Sequence, residues 1–395
     1  MSRTRLLRIA ASVVVVIALI RVIAPPIFGD TLVAVGVRSA GIAELPLISD
    51  IIKDRLGTRT SAPAGTDPTL VIVEIAPGAS TSMIARQLHD AGLIADEVGF
   101  LYAVRAAGLD GKLQAGTFRV AASMTPTEVA TALTDPYREP TIAVEIRAGL
   151  RIEQIVAKLT TLDLPFEAAD VLDLLRTPSA AIIADYTWLD LPKGGTLEGR
   201  LGSGALSVPV SATAESFVRI LLDRFAEQVP EAYRGASGGY SFNEILTLAS
   251  IVEKEAALDD ERPRMAGVYT YRLELGQGLF ADPSIIWVAD SAALRKLPLA
   301  KWAEYEFWKF PAKPYSGLVP PRVPADLVPW NTFVRGGIPP APFCSPTLAS
   351  IIAAREPDSS RKELYFVLIP NSGGRHDFSK TLAEHEAKAR KYGWK

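Results

Sequence analysis

One pattern that occurs twice constrains this chain more than any other feature. Val73-Glu74-Ile75, followed by Gly78, Ile84 and Leu88, returns as Val144-Glu145-Ile146, Gly149, Ile155 and Leu159, at a constant offset of 71 positions. The alternation from Leu70 to Ile75 reads as a strand, Pro77-Gly78 as a turn, and Ile84, Ala85 and Leu88 carry helical spacing. Each copy is therefore a strand-turn-helix unit. Between the copies the spacing predicts a helix over 96–107, a strand over 116–120, and a helix capped by Thr125 with Pro126 as its first residue, running to Leu133. The first unit then reads β-α-α-β-α, and the fold class is α+β.

A chain of 395 residues with 48% hydrophobic and 22% charged residues buries sizeable cores, and two or three folded units fit that length. The formal net charge of -2 gives no global field for nucleic acid, which is excluded as a partner. The single cysteine, Cys344, forms no internal disulfide. The three histidines, His89, His376 and His385, lack ligand spacing, so neither a metal nor a cofactor is expected.

Arg3, Arg5 and Arg8 precede an apolar stretch from Ile9 to Phe28, interrupted by Arg21. A cleaved signal peptide and an uncleaved anchor compete here. No small-residue cleavage site precedes Gly29, and Ile9 to Phe28 supplies the about 20 residues a spanning helix needs if Arg21 snorkels to the interface. The expectation is a single-pass cytoplasmic (inner) membrane anchor over 1–29, its start in the cytoplasm and the rest extracytoplasmic. A juxtamembrane linker is expected over 30–69, because Thr58 to Thr69 is rich in Thr, Ser, Ala, Gly and Pro. Folded units are expected over 70–137, 138–212 and 213–395.

The chemistry concentrates in the last of these. Ser241-Phe242-Asn243-Glu244 has the form of a capping box and predicts a helix running past Glu255. On its wheel Ile245, Leu248, Ala249, Ile251, Val252 and Ala256 gather on one side and Lys254 points away. Glu255 falls within roughly 60° of the stripe's centre and Glu253 about 100° off on the other flank, so Glu255 is expected to be the more buried. A carboxyl against apolar side chains resists ionisation, as a general acid must. A structural ion pair of Glu255 with Arg262 or Arg272 is the competing reading.

The run Leu246-Thr247-Leu248-Ala249-Ser250-Ile251-Val252-Glu253-Lys254-Glu255, then Glu261-Arg262-Pro263, Val268-Tyr269, Arg272-Leu273 and Asp282-Pro283, resembles the YceG-like endolytic murein transglycosylases. Asn331-Thr332, Gly337-Ile338-Pro339-Pro340, Leu364 to Val367 and Gly373-Gly374 with His376 follow in that family's order. The resemblance implies a mixed α/β catalytic domain over 213–395, with Glu255 as the catalytic residue. It implies lytic cleavage between N-acetylmuramic acid and N-acetylglucosamine in peptidoglycan glycan strands, leaving 1,6-anhydro ends, with peptidoglycan synthases as partners. Asp282, Asn331, Glu198, His376 and Tyr269 carry over as substrate-binding positions, although Asp282, Asn331 and Glu198 are equally readable as turn or cap residues, and His376, expected in a glycine-rich loop between a strand and a helix, as a structural histidine. The 70–137 unit resembles the LysM-type glycan-binding module, with a plain packing subdomain as the alternative. This chain departs from the family at Tyr271, at Phe280-Ala281 and over 200–205, so altered activity is expected.

A non-catalytic peptidoglycan-binding or scaffold relative remains the second reading. A serine or cysteine hydrolase would need Ser379-Lys380, or Cys344 with His376, and neither has a nucleophile motif. Ser379 reads instead as a surface helix cap.

Overall fold

The computed structural model describes residues 54–311, 317–319 and 322–394. The apolar stretch from Ile9 to Phe28 lies outside the described residues, among which no helix is long and apolar enough to cross a membrane. The chain divides between Glu139 and Pro140 into two compact units.

In the first unit, β1 (Val71–Ile75), α1 (Thr81–Asp90), α2 (Glu97–Ala106), β2 (Gly116–Val120) and α3 (Pro126–Ala132) follow in the predicted order. β1 and β2 pair antiparallel, Val71 opposite Val120 and Ile75 opposite Gly116. Period-2 alternation turns Val73, Ile75, Phe118 and Val120 inward onto Ile84, Leu88, Phe100 and Val129. Side-chain caps begin each helix. Ser80 accepts from the Met83 amide, Asp96 from that of Gly99, and Thr125 forms a capping box with Glu128. The Thr58 to Thr69 tract, expected as linker, is held to this unit where Gly65 N–H donates to the Ala122 carbonyl and Ser123 N–H to that of Asp67.

The second copy of the repeated pattern opens the second unit. β3 (Thr141–Ile146) leads through Gly149 into α4 (Ile152–Leu159). Gly149 has φ +72° and its counterpart Gly78 has φ +78°, left-handed values that glycine takes without a Cβ clash. β3 pairs antiparallel with β4 (Gly204–Pro209), Val144 opposite Leu206. With this strand pair, α5 (Ala168–Arg176) and α7 (Ala214–Gln228) complete a core of Ile155, Leu159, Val171, Leu175, Phe217 and Leu221; α6 (Ala180–Asp185) lies between them in sequence.

A further core surrounds α8 (Phe242–Glu255). Ile245, Leu248, Ile251 and Val252 pack with Met265 and Tyr269 of α9 (Arg262–Glu274) and Ile351 of α11 (Leu348–Arg355). α10 (Asp282–Leu294) starts from the loop after α9. Phe242 and every residue from Ile245 to Val252 are buried, so α8 is covered nearly all round. The one-sided wheel therefore overstates the contrast between the two glutamates, both of which are partly buried.

Three local expectations change. α8 ends on Glu255 instead of passing it, because Ala256 takes extended ψ 115° while its amide still donates to the Val252 carbonyl. His376 opens β6 (His376–Ser379), paired antiparallel with β5 (Tyr365–Leu368), instead of lying in a loop between strand and helix. Ser379 is buried at the end of that strand and caps nothing. Thr381, accepting from the Glu384 amide, caps α12 (Leu382–Lys391).

Candidate active site

Glu255 sits on the last turn of α8, where unpaired helix carbonyls disfavour a negative charge. The Tyr269 hydroxyl, from the buried face of α9, donates to Glu255 Oε1 at 3.0 Å. Asp282, first residue of α10, brings both its backbone N–H and its carboxylate to bear on the same group. Burial first, then the Asp282 charge, raise the Glu255 pKa from its ordinary 4.5 to about 7. The Tyr269 hydrogen bond, the Arg272 charge and the Asp282 amide oppose that rise without cancelling it. A carboxyl so poised gives up and retakes a proton near neutrality.

The loop before Asp282 is fixed by a hydroxyl network that the sequence does not advertise. Ala281 N–H donates to Thr332 Oγ1 at 2.9 Å, and Ser284 Oγ lies 2.8 Å from the same oxygen. Arg272 donates to the carbonyls of Leu279 and Leu364, tying that loop to β5.

Glu253 has a different job. Its Oε2 accepts from Arg262 Nη1 at 3.2 Å, Thr347 N at 3.1 Å, and the hydroxyls of Thr347 and Ser350 at 2.6 Å each. Arg262 thus pairs with Glu253, and Arg272 influences Glu255 only through its charge, so neither half of the competing ion-pair reading describes Glu255. Lys254, between the glutamates, lies 4.1 Å from the Trp308 ring centroid.

Of the six positions expected in the site, the structure gathers Glu255, Tyr269 and Asp282. His376 is held by Glu261, its Nδ1 2.9 Å from Oε2 and its backbone N–H on Oε1 at 3.0 Å. Its ring meets Phe366 edge-on, as does that of Tyr269, so one aromatic side chain stands between them. Asn331 is fully buried, its side chain donating to the Leu318 carbonyl and accepting from Phe333 N–H.

Glu198 lines a cavity of about 640 Å³ with Trp287, Trp302, Trp330 and Arg176, and Glu255 is not in its wall. Burial, then the Glu153 charge, push Glu198 to about 8. Both its oxygens accept backbone N–H groups, from Ile152 at 2.9 Å and Gly199 at 3.3 Å, which makes it the fastening of the α4 start. The proton chemistry favours the Glu255 cluster over this cavity, because a hydroxyl, an amide and a second acid address that carboxyl together. Arg151 escapes sequence reasoning altogether. It is fully buried, donates to Glu153 at 2.7 Å and Ser291 at 2.6 Å, and nothing in its local sequence marks it as other than a loop arginine.

Tyr269→Phe removes a hydrogen bond that favours the charged carboxylate, so the Glu255 pKa rises above about 7. If Glu255 is the acid, rates fall about tenfold per pH unit above that pKa. The falling limb moves to higher pH in Tyr269→Phe, and pH–rate profiles of both chains measure the shift. A limb that stays in place would remove Tyr269 from the proton chemistry.

The sequence profile of the YceG-like family matches residues 73–391. The chain is 25% identical over 343 residues to the endolytic murein transglycosylase of Bacillus subtilis, covering 82% of this chain and 85% of that protein. It is 25% identical over 340 residues to the protein of the same description from Streptococcus pneumoniae, covering 80% of this chain and 58% of that longer relative. A crystal structure of a YceG-like protein from Listeria monocytogenes is similar at TM-score 0.48 and 23% identity, covering 81% of this chain and 98% of that one. The profile match spans most of the sequence and takes in α8 with its glutamates, the Asp282 loop and both later strands: the chain belongs to the YceG-like family.

Proposed function

We propose that this chain is a lytic murein transglycosylase, cutting peptidoglycan glycan strands internally between N-acetylmuramic acid and N-acetylglucosamine. The observation that carries the reading is the Glu255 carboxyl, buried enough to hold its proton near neutrality and addressed by Tyr269 and Asp282. Protonated Glu255 donates to the glycosidic oxygen as the bond to the muramyl anomeric carbon breaks. The resulting carboxylate takes the proton of the muramyl C6 hydroxyl, whose oxygen closes onto that carbon as the 1,6-anhydro ring. No water is consumed, and one carboxyl serves both transfers, whereas glycoside hydrolysis ordinarily needs a pair. Tyr269 and Arg272 steady the carboxylate between the two steps; Asp282 keeps it basic enough to be reprotonated.

Purified murein digested by this protein should release anhydromuropeptides, read by mass spectrometry. Reducing-end products alone would make it a hydrolase, and no soluble products at all would favour a binding or scaffold role.

The rest of the reading follows the domain order. The 1–29 stretch is an inner-membrane anchor that places the remainder in the periplasm, supported by the arginines ahead of Ile9 and tested by carbonate extraction, which should leave the chain in the membrane. The 70–137 unit is a LysM-like glycan-binding subdomain, supported by its β-α-α-β-α order. The 138–212 unit repeats its opening pattern, and 213–395 carries the chemistry. Co-sedimentation with insoluble murein should weaken when 70–137 is deleted. Peptidoglycan synthases are the partners, and affinity capture from membranes in which the wall is being built tests them.

A further inference from the structure

Phe280 has φ +49°, a left-handed backbone that a bulky side chain adopts only under compulsion. The compulsion is visible. Phe280 N–H donates to the Thr332 carbonyl at 3.4 Å, the next amide is held by the Thr332 hydroxyl, and the preceding carbonyl accepts from Arg272. The residue stays 50% exposed, its ring edge-on to Phe333 at 5.8 Å. Gly278 leaves it room, since a Cβ there would meet the ring at 3.0–3.3 Å.

Two residues later comes Asp282, whose amide and carboxylate act on Glu255. Two residues span about 7 Å at most, so the exposed ring belongs to the acid's surroundings. The Arg272 guanidinium, whose charge acts on Glu255, lies 5.9 Å from the ring centroid. An aromatic face held rigid beside a proton donor suits one class of ligand well. A pyranose ring presents a flat face of axial C–H bonds that packs on an aromatic ring, while its hydroxyls remain directed sideways to polar partners.

We infer that Phe280, braced by Phe333, is the platform on which one sugar of the glycan strand stacks when the adjoining glycosidic oxygen lies at Glu255. The inference rests on the transglycosylase reading and makes Phe280 a substrate-binding residue of that site. Strain in the backbone holds the ring in position before substrate arrives, which spares the bound state the loss of ring freedom.

Phe280→Asn is the decisive variant, because asparagine tolerates left-handed φ and removes the ring without straining the loop. Against purified glycan strands it should raise KM about tenfold while kcat stays within about threefold, and its thermal midpoint should equal or exceed that of wild type. Phe280→Trp, which keeps an aromatic face, should restore KM to within about threefold of wild type. Glycan binding to the full chain carrying Glu255→Gln, followed by tryptophan fluorescence, needs no turnover. Phe280→Asn in that background should weaken it about tenfold. Weakened binding in a protein that yields no anhydro ends would sustain the platform while the transglycosylase reading fell. Unchanged KM and unchanged affinity, or a lowered thermal midpoint with unchanged KM, would reduce the ring to a packing element and overturn the inference.

Discussion

Glu255→Gln lowers the release of anhydromuropeptides by about 10³-fold or more, and the protein stays folded. Removing a general acid ordinarily forfeits about 10² to 10⁴ in rate, and in the proposed reaction the same carboxyl serves both proton transfers, so the upper part of that range is expected. Glutamine keeps the shape and an oxygen able to accept from Tyr269, leaving the packing at the end of α8 intact. Stability supplies an independent signature. Because the Glu255 pKa is raised from its ordinary 4.5 to about 7, the folded chain keeps a proton that the unfolded chain has already released between those values. This group's contribution to stability therefore declines as pH rises from 4.5 to about 7, and above that the ionised carboxyl burdens the fold in full. Glu255→Gln has no such group, so it should unfold at equal or higher urea than wild type above pH 7, with the difference vanishing toward pH 4.5. A variant that remains active would remove Glu255 from the chemistry; one destabilised at every pH would assign it a structural task.

Glu253→Ala is expected to do the reverse, breaking the fold before the chemistry. Four hydrogen bonds converge on one Glu253 oxygen, three of them from residues of the α11 start and one from Arg262. Arg262 is 10% exposed at its side chain and would lose its better-buried partner. Breaking a buried pair by removing one side destabilises by 3–5 kcal/mol, and Asp259, which still accepts from Arg262 at 2.8 Å, moderates the loss toward about 3 kcal/mol. Urea unfolding monitored by tryptophan fluorescence reads this directly. A loss under about 1 kcal/mol would show the four-way junction to be incidental.

These two glutamates also show which features a single sequence reveals. The repeated strand-turn-helix pattern, the glycines at its turns and the Ser241 capping box were legible because each depends on residues within 16 positions of chain. Glu255 was reachable from the helix wheel, and Tyr269 and Asp282 from the family resemblance. The partners of Glu253 were not, since Thr347 and Ser350 lie 94 and 97 residues away, and the wheel assumed a solvent face that α8 hardly has. The burial of Arg151 under Ser291, 140 residues on, was equally invisible, whereas the Asn331 side chain accepting within its own loop is the turn reading that its sequence offered. Periodicity reports which face is apolar; it carries no information about which distant element will cover the other face.

One residue separates Glu253 from Glu255, and both stand on the final turn of the same helix. The fastener of the fold and the acid proposed to cut are thus within a single turn of backbone. Fraying that turn unclips Arg262 and α11 and at the same moment withdraws the Glu255 carboxyl from the Tyr269 hydroxyl. On the proposed chemistry a half-folded or damaged copy of this protein is therefore blunt, which suits a blade directed at the cell wall.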